Sequence, residues 1–197
     1  MSDESSPYNV VGILGSVRPN NYTARAMALV ADEFGVNGID FELIDPAKLD
    51  LPLPGTESDS SDAATMREQV QQATGVILAT PEYHGSYSSV IKLVIDNLGF
   101  PSVLSGKPIG LVGVAAGAIG AIKALEHLRS VCAHVGGIVL PAFVSIPGVN
   151  RVFDDEGNCT DEKVEKRIRG AATNLHHYVQ QNICPRITLE AMVREQA

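Results

Sequence analysis

Two short polar loops hold most of the residues able to do chemistry. The first is GSVRPNNYT, residues 15–23. It joins a short apolar run to a helical pattern. The free N–H groups of a helix start and the positive end of its dipole make such a junction a natural anion site. Arg18 adds a planar cation suited to phosphate, and Ser16, Asn21, Tyr22 and Thr23 add side-chain donors. No G-K-[ST] and no G-x-G-x-x-G stands here, which excludes a P-loop and a standard dinucleotide fingerprint. A plain capped turn with one exposed Arg also accounts for the loop.

The second loop is TPEYHGSYS, residues 80–88, after an apolar stretch. Gly85 lets the backbone approach a flat ligand closely. Successive N–H groups after Pro81 could meet the N1–C2=O edge and N5 of a flavin. Tyr83 could cover a ring face, and His84 could line the mouth. A half-buried Tyr with a helix cap at Ser86 or Ser88 is the plainer alternative.

These loops need elements to hold them. Residues 8–14 and 75–80 read as buried strands, 107–115 as another, and 138–144 as the last; Pro81 is expected to end the third strand. Residues 40–44 alternate polar and apolar and read as a less buried strand. Helical spacing marks 23–34, 63–73, 88–98, 119–135 and a final helix from an N-cap at Thr160 to Pro185. Asn20 and Asn21 are candidate caps for the first helix, which Gly35 and Gly38 stop. Ile187, Leu189, Met192 and Val193 in the tail suggest a partner surface. Alternating strands and helices imply a parallel sheet covered on both faces, with ligands beyond the strands' C-terminal ends.

The 197 residues fit one domain, residues 1–197. The net charge of −8 argues against general nucleic-acid binding. Three cysteines without C-x-x-C spacing argue against a zinc site or disulfide framework. His176 and His177, adjacent on a helix, read as a solvated pair, and no metal site is expected. The start MSDESSPYNV is unlike a signal peptide, and no apolar run nears the roughly 20 residues that span a bilayer. A cytoplasmic protein is expected.

GSVRPNNYT after the first strand and TPEYHGSYSSVIKLVIDNLG after the third resemble the NADPH-dependent FMN reductase family, and the similarity extends over nearly the whole chain. That family includes flavin, quinone, azo-dye and chromate reductases. The resemblance implies an α/β flavodoxin-like three-layer sandwich with a five-stranded parallel sheet in order 2-1-3-4-5. It implies non-covalent FMN, with Ser16, Arg18, Asn21, Tyr22 and Thr23 holding the phosphate. Pro81, Glu82, Tyr83, His84, Gly85 and Ser86 would border the isoalloxazine, and Ala116 and Gly117 would complete the pocket. No catalytic side chain is expected, since hydride moves from NADPH or NADH to the flavin. Arg18 is also a candidate for the 2′-phosphate of NADPH. A small-molecule acceptor and a homodimer or homotetramer are implied. Asn97 departs from the family, which often has Trp there on a helix used for dimer contact. A flavodoxin-like electron carrier without pyridine-nucleotide chemistry is the alternative function.

Overall fold

The computed structural model describes residues 8–56, 60–186 and 194. The tail residues Ile187, Leu189, Met192 and Val193 lie outside them. In β1 (Asn9–Leu14) the side chains alternate between two cores, Val10 and Leu14 in one, Val11 and Ile13 in the other. A central parallel strand, covered on both sides, needs that double-sided apolarity. β3 (Gly75–Tyr83) and β5 (Pro108–Val114) repeat it: Ile77, Ala79, Val112 and Val114 join the first core, Val76, Leu78, Ile109 and Leu111 the second.

β2 (Asp40–Ile44) and β3 flank β1, and β5 flanks β3, all in parallel. The outermost strand comes in two pieces, β6 (Ile138–Val139) and β7 (Val144–Ile146), paired with the two ends of β5. Counted as one, they complete the expected 2-1-3-4-5 order. The anticipated unbroken strand over 138–144 is corrected: Pro141 cannot donate to a ladder, and Ala142 takes φ +63.

Pro81 does not end β3. The strand continues to Tyr83 and folds back as an antiparallel pair with β4 (Ser86–Tyr87). Pairing with β1 stops at Ala79, so the missing N–H of Pro81 breaks no ladder there, while Pro81 keeps its register with Val114 of β5.

α1 (Tyr22–Val36) and α5 (Glu162–Tyr178) cover the first face through Met27, Phe34, Ile168 and Leu175. α2 (Ser61–Gln72), α3 (Ser89–Asn97) and α4 (Ile122–His134) cover the second through Met66, Ile91 and Leu125. Each such side chain contributes about 1.5–3 kcal/mol on burial. Asn21, Ser60, Ser88 and Asp161 cap α1, α2, α3 and α5. Asp161 thus replaces the expected Thr160: its carboxylate accepts from the N–H groups of Lys163 and Val164, while the Thr160 hydroxyl donates to the Val152 carbonyl. α1 runs one residue past Gly35, and α5 gives way to a π-helical turn (Val179–Ile183) before Pro185. No helix among the described residues is long and apolar enough to cross a membrane.

The chain leaves β1 toward β2 and returns from β2 to the opposite side of β1. The loops after β1 and β3 therefore diverge, and such a reversal leaves a crevice at the strands' C-terminal ends.

Candidate functional site

A cleft of about 330 Å³ opens at that reversal, walled by the loop after β1, by Pro81–Tyr83 at the end of β3, by Val114 and the two alanines that follow it at the end of β5, and by Val149. Its foundation is a buried hydrogen-bond network. The Gly15 N–H donates to the Ala79 carbonyl at 2.6 Å. A Cβ on Gly15 would stand 2.6 Å from that oxygen and 3.1 Å from Thr80 Cα, so only glycine brings the two strand ends this close. Ser88, 2% exposed, donates its hydroxyl to the Gly15 carbonyl at 2.6 Å and accepts from the Ile91 N–H at 3.2 Å as the cap of α3. Its own N–H donates to Thr80 Oγ1 at 3.0 Å. Thr80 Oγ1 in turn donates to the Pro81 carbonyl at 2.9 Å. One serine therefore ties the loop after β1 to the C-terminal part of β3.

Asn20 turns the first loop through φ +51, a conformation Asn tolerates better than most residues. Asn21 Oδ1 accepts from the Ala24 N–H at 2.8 Å, and its Nδ2 donates to the Arg18 carbonyl at 2.7 Å. Asn21 thus shapes the loop from both ends of its amide. The first intrahelical bond of α1 runs from the Arg25 N–H to the Asn21 carbonyl. The Tyr22 and Thr23 amides precede it and have no partner within the helix. Arg18 is exposed at the rim.

The Tyr22 ring stacks with the Phe153 ring at 6.3 Å, and the Arg25 guanidinium sits over the Tyr22 ring at 5.3 Å. Arg25 Nη1 also donates to the Asp154 carbonyl at 2.6 Å. Sequence reasoning missed Thr80, Phe153 and Arg25 as supports of the site. Arg25, one turn after Tyr22 and on its face of the helix, was the available signal; nothing local pointed to Phe153.

Of the anticipated residues, Ser16, Arg18, Asn21, Tyr22, Thr23, Pro81, Glu82, Tyr83 and Ala116 line this cleft together. His84, Gly85, Ser86 and Gly117 do not. His84 and Gly85 are the two turn residues of the β3–β4 hairpin, at φ +51 and +74, the paired positive values of a tight hairpin turn. Gly85 is therefore required by its φ, and a Cβ there would meet nothing nearer than Lys123 Cδ at 3.6 Å. Ser86 Oγ pairs with His127 Nδ1 on α4 at 3.1 Å. The Gly117 carbonyl accepts from the N–H groups of Gly120 and Gly148. The Glu82 carboxylate points to α4, accepting from the Ala124 N–H at 3.1 Å. Val114, Ala115 and Val149 add apolar walls not anticipated for the site.

The model of the NADPH-dependent FMN reductase family matches residues 8–151. The chain belongs to that family. As a member of the NADPH-dependent FMN reductases, it is a flavin-dependent oxidoreductase that works with FMN and a reduced pyridine nucleotide. An FMN-dependent NADPH-azoreductase of Staphylococcus aureus is 26% identical over 166 residues, covering 80% of this chain and 87% of that protein. FerB, a flavoenzyme NAD(P)H:(acceptor) oxidoreductase from Paracoccus denitrificans, superposes with a TM-score of 0.73 at 22% identity, covering 86% and 98%. A flavodoxin, WrbA-like protein from Agrobacterium tumefaciens gives 0.61 at 18%, covering 89% and 99%. The flavodoxin-like sheet anticipated for this reductase is thus shown.

The donor set fits FMN. One end of the cleft offers the Tyr22 and Thr23 amides, which have no partner within α1, and Arg18; the other offers apolar walls and the backbone of Pro81–Tyr83 at the end of β3. Away from the cleft, two residues singled out in the sequence have defined partners. Asn97 is a buried hub: its Nδ2 donates to the Pro52 and Leu93 carbonyls at 3.0 and 2.9 Å, and Arg67 donates to its carbonyl. His176 is half-buried and carries a partner beyond solvent: its Nδ1 meets the Tyr8 hydroxyl, and partial loss of hydration, with the neighbouring His177 charge, lowers its pKa, while His177 is exposed. Burial pushes the Tyr8 phenol up to about 12, helped by Cys184.

Proposed function

We propose that this reductase holds FMN in the cleft after β1, β3 and β5 and passes electrons from NAD(P)H to a small-molecule acceptor. The observation that carries the reading is the cleft's two-ended character: a cationic, amide-rich end at the start of α1 and an apolar end between β3 and β5. The Tyr22 and Thr23 amides, Arg18 and the Ser16 and Thr23 hydroxyls would bind the phosphate. Pro81, Glu82 and Tyr83 would border the ring by their backbone, with Ala115 and Ala116 leaving room opposite. His84, Gly85, Ser86 and Gly117 would shape the mouth without lining the pocket.

When bound, FMN would supply the redox chemistry between a reduced nicotinamide and the acceptor. The chain binds and orients, and the open side of the cleft admits nucleotide and acceptor in turn. Backbone donors after Pro81 would stabilise negative charge at the ring edge. An azo compound is one acceptor this reading includes, as the Staphylococcus relative's name supports; quinones, metal ions and free flavin are others. Phe100, fully exposed beside a groove containing Ile95, Val131 and Val135, supports a homodimer or homotetramer. The free thiols of Cys132 and Cys159 support a reducing, cytoplasmic setting.

Anaerobic addition of NADPH, then NADH, to FMN-loaded protein tests the reading. Rapid loss of the oxidised-flavin absorbance is expected. Bound flavin that stays oxidised with both nucleotides would leave an electron carrier. Arg18→Ala is expected to weaken FMN binding about tenfold, the scale of one exposed charge-assisted hydrogen bond.

A further inference from the structure

α4 begins without a side-chain cap. Its N-cap position is Ala121, whose own N–H donates to Ser145 Oγ at 2.9 Å. The first intrahelical bond runs from the Leu125 N–H to the Ala121 carbonyl, so the amides of Ile122, Lys123 and Ala124 need partners from elsewhere. Glu82 Oε2, from the end of β3, accepts from the Ala124 N–H at 3.1 Å. The carboxylate also meets the positive end of the helix dipole. Three residues of hairpin separate this anchor from the next, Ser86 Oγ with His127 Nδ1. Between the two anchors lie Tyr83, half exposed on the cleft, and the left-handed pair His84 and Gly85.

We propose that Glu82 is a positioning residue: its carboxylate supplies the cap α4 lacks and thereby fixes the Tyr83–His84–Gly85 turn at the mouth of the cleft. Glu82 Oε2 serves the helix, and only the backbone of Glu82 serves the ligand. The second half of this statement rests on the FMN reading; the first half stands without it.

Hydrogen exchange on FMN-free protein tests the clamp directly. Glu82→Ala is expected to speed exchange on the order of tenfold in both the first turn of α4 and residues 82–87, as local opening becomes easier. Glu82→Gln keeps an acceptor oxygen and is expected to hold both segments near wild-type protection. Should Glu82→Ala fail to fold, Glu82→Met fills similar space without an acceptor and reads the same loss. Visible circular dichroism of FMN-loaded protein then reports the turn: an altered flavin signal in the Ala variant, restored in Gln, is expected. Faster exchange in α4 with residues 82–87 unchanged, or no change in either, overturns the proposal. Faster exchange in both segments of a protein that captures no FMN would sink the flavin reading and leave the clamp standing.

Discussion

Ser88→Ala removes the hydroxyl on which the cleft's two main loops converge. Two hydrogen bonds disappear: donation to the Gly15 carbonyl at 2.6 Å and acceptance from the Ile91 N–H at 3.2 Å. Loss of an N-cap costs about 1 kcal/mol. Leaving a buried carbonyl unpaired costs about 1–3 kcal/mol more. Together the variant is expected to lose about 2–4 kcal/mol, which for a domain of this size is roughly 4–16 °C in Tm. Urea unfolding followed by circular dichroism measures the first figure, and thermal scans the second. FMN affinity should fall as well, because Gly15 starts the anion loop. Thr80→Val removes the oxygen that accepts from the Ser88 N–H at 3.0 Å. Its cost should not add to that of Ser88→Ala, since residues in one network couple by about 0.5–3 kcal/mol. A Ser88→Ala protein within 0.5 kcal/mol of wild type (below the about 1 kcal/mol of a cap alone), with unchanged FMN binding, would refute the network argument.

Gly85→Val puts a β-branched residue at φ +74; a loss of about 1–3 kcal/mol is expected from chemical denaturation, and equal stability would show that the turn tolerates a side chain. Phe100→Ser should shift the sedimentation profile toward monomer, because it removes a fully exposed ring beside the groove at α3 and α4. His176 has a folded pKa below its ordinary 6.5, so the unfolded chain takes up the proton first as pH falls. Stability should therefore decline as pH drops below about 6.5 and level off beneath the folded pKa, and His176→Gln should flatten that part of a Tm-against-pH curve.

The sheet was legible because its central strands are apolar on both faces, and residues 10–14 and 76–79 can be buried in no other way in so short a run. The turn over residues 15–23 was legible for a similar reason: a polar stretch between a buried strand and a helical pattern reads as the junction of the two, with Asn21 as the helix cap. The β3–β4 hairpin escaped because Pro81 is locally a breaker, and only the early end of β1 makes it harmless. Glu82 was assigned to the ligand because its motif places it there; that its carboxylate reaches the first turn of α4 depends on a contact across 42 positions of sequence. Asn97 was read through a family position, whereas its amide is spent on the carbonyls of Pro52 and Leu93. Local pattern found the backbone of the candidate site, and tertiary contacts decided what its side chains touch.

The break between β6 and β7 has a bearing on how the molecule behaves among its neighbours. An open sheet offers its last strand as a template on which another chain can lay itself, and long flat borders seed clumping. Here the border is two residues, then Pro141 and the left-handed Ala142, then three residues more. At the other border β2 carries Asp40 and Glu42, whose charges repel an incoming strand. A parallel sheet that must fold slowly around its cofactor site is thereby spared a sticky flank at either side while it does so.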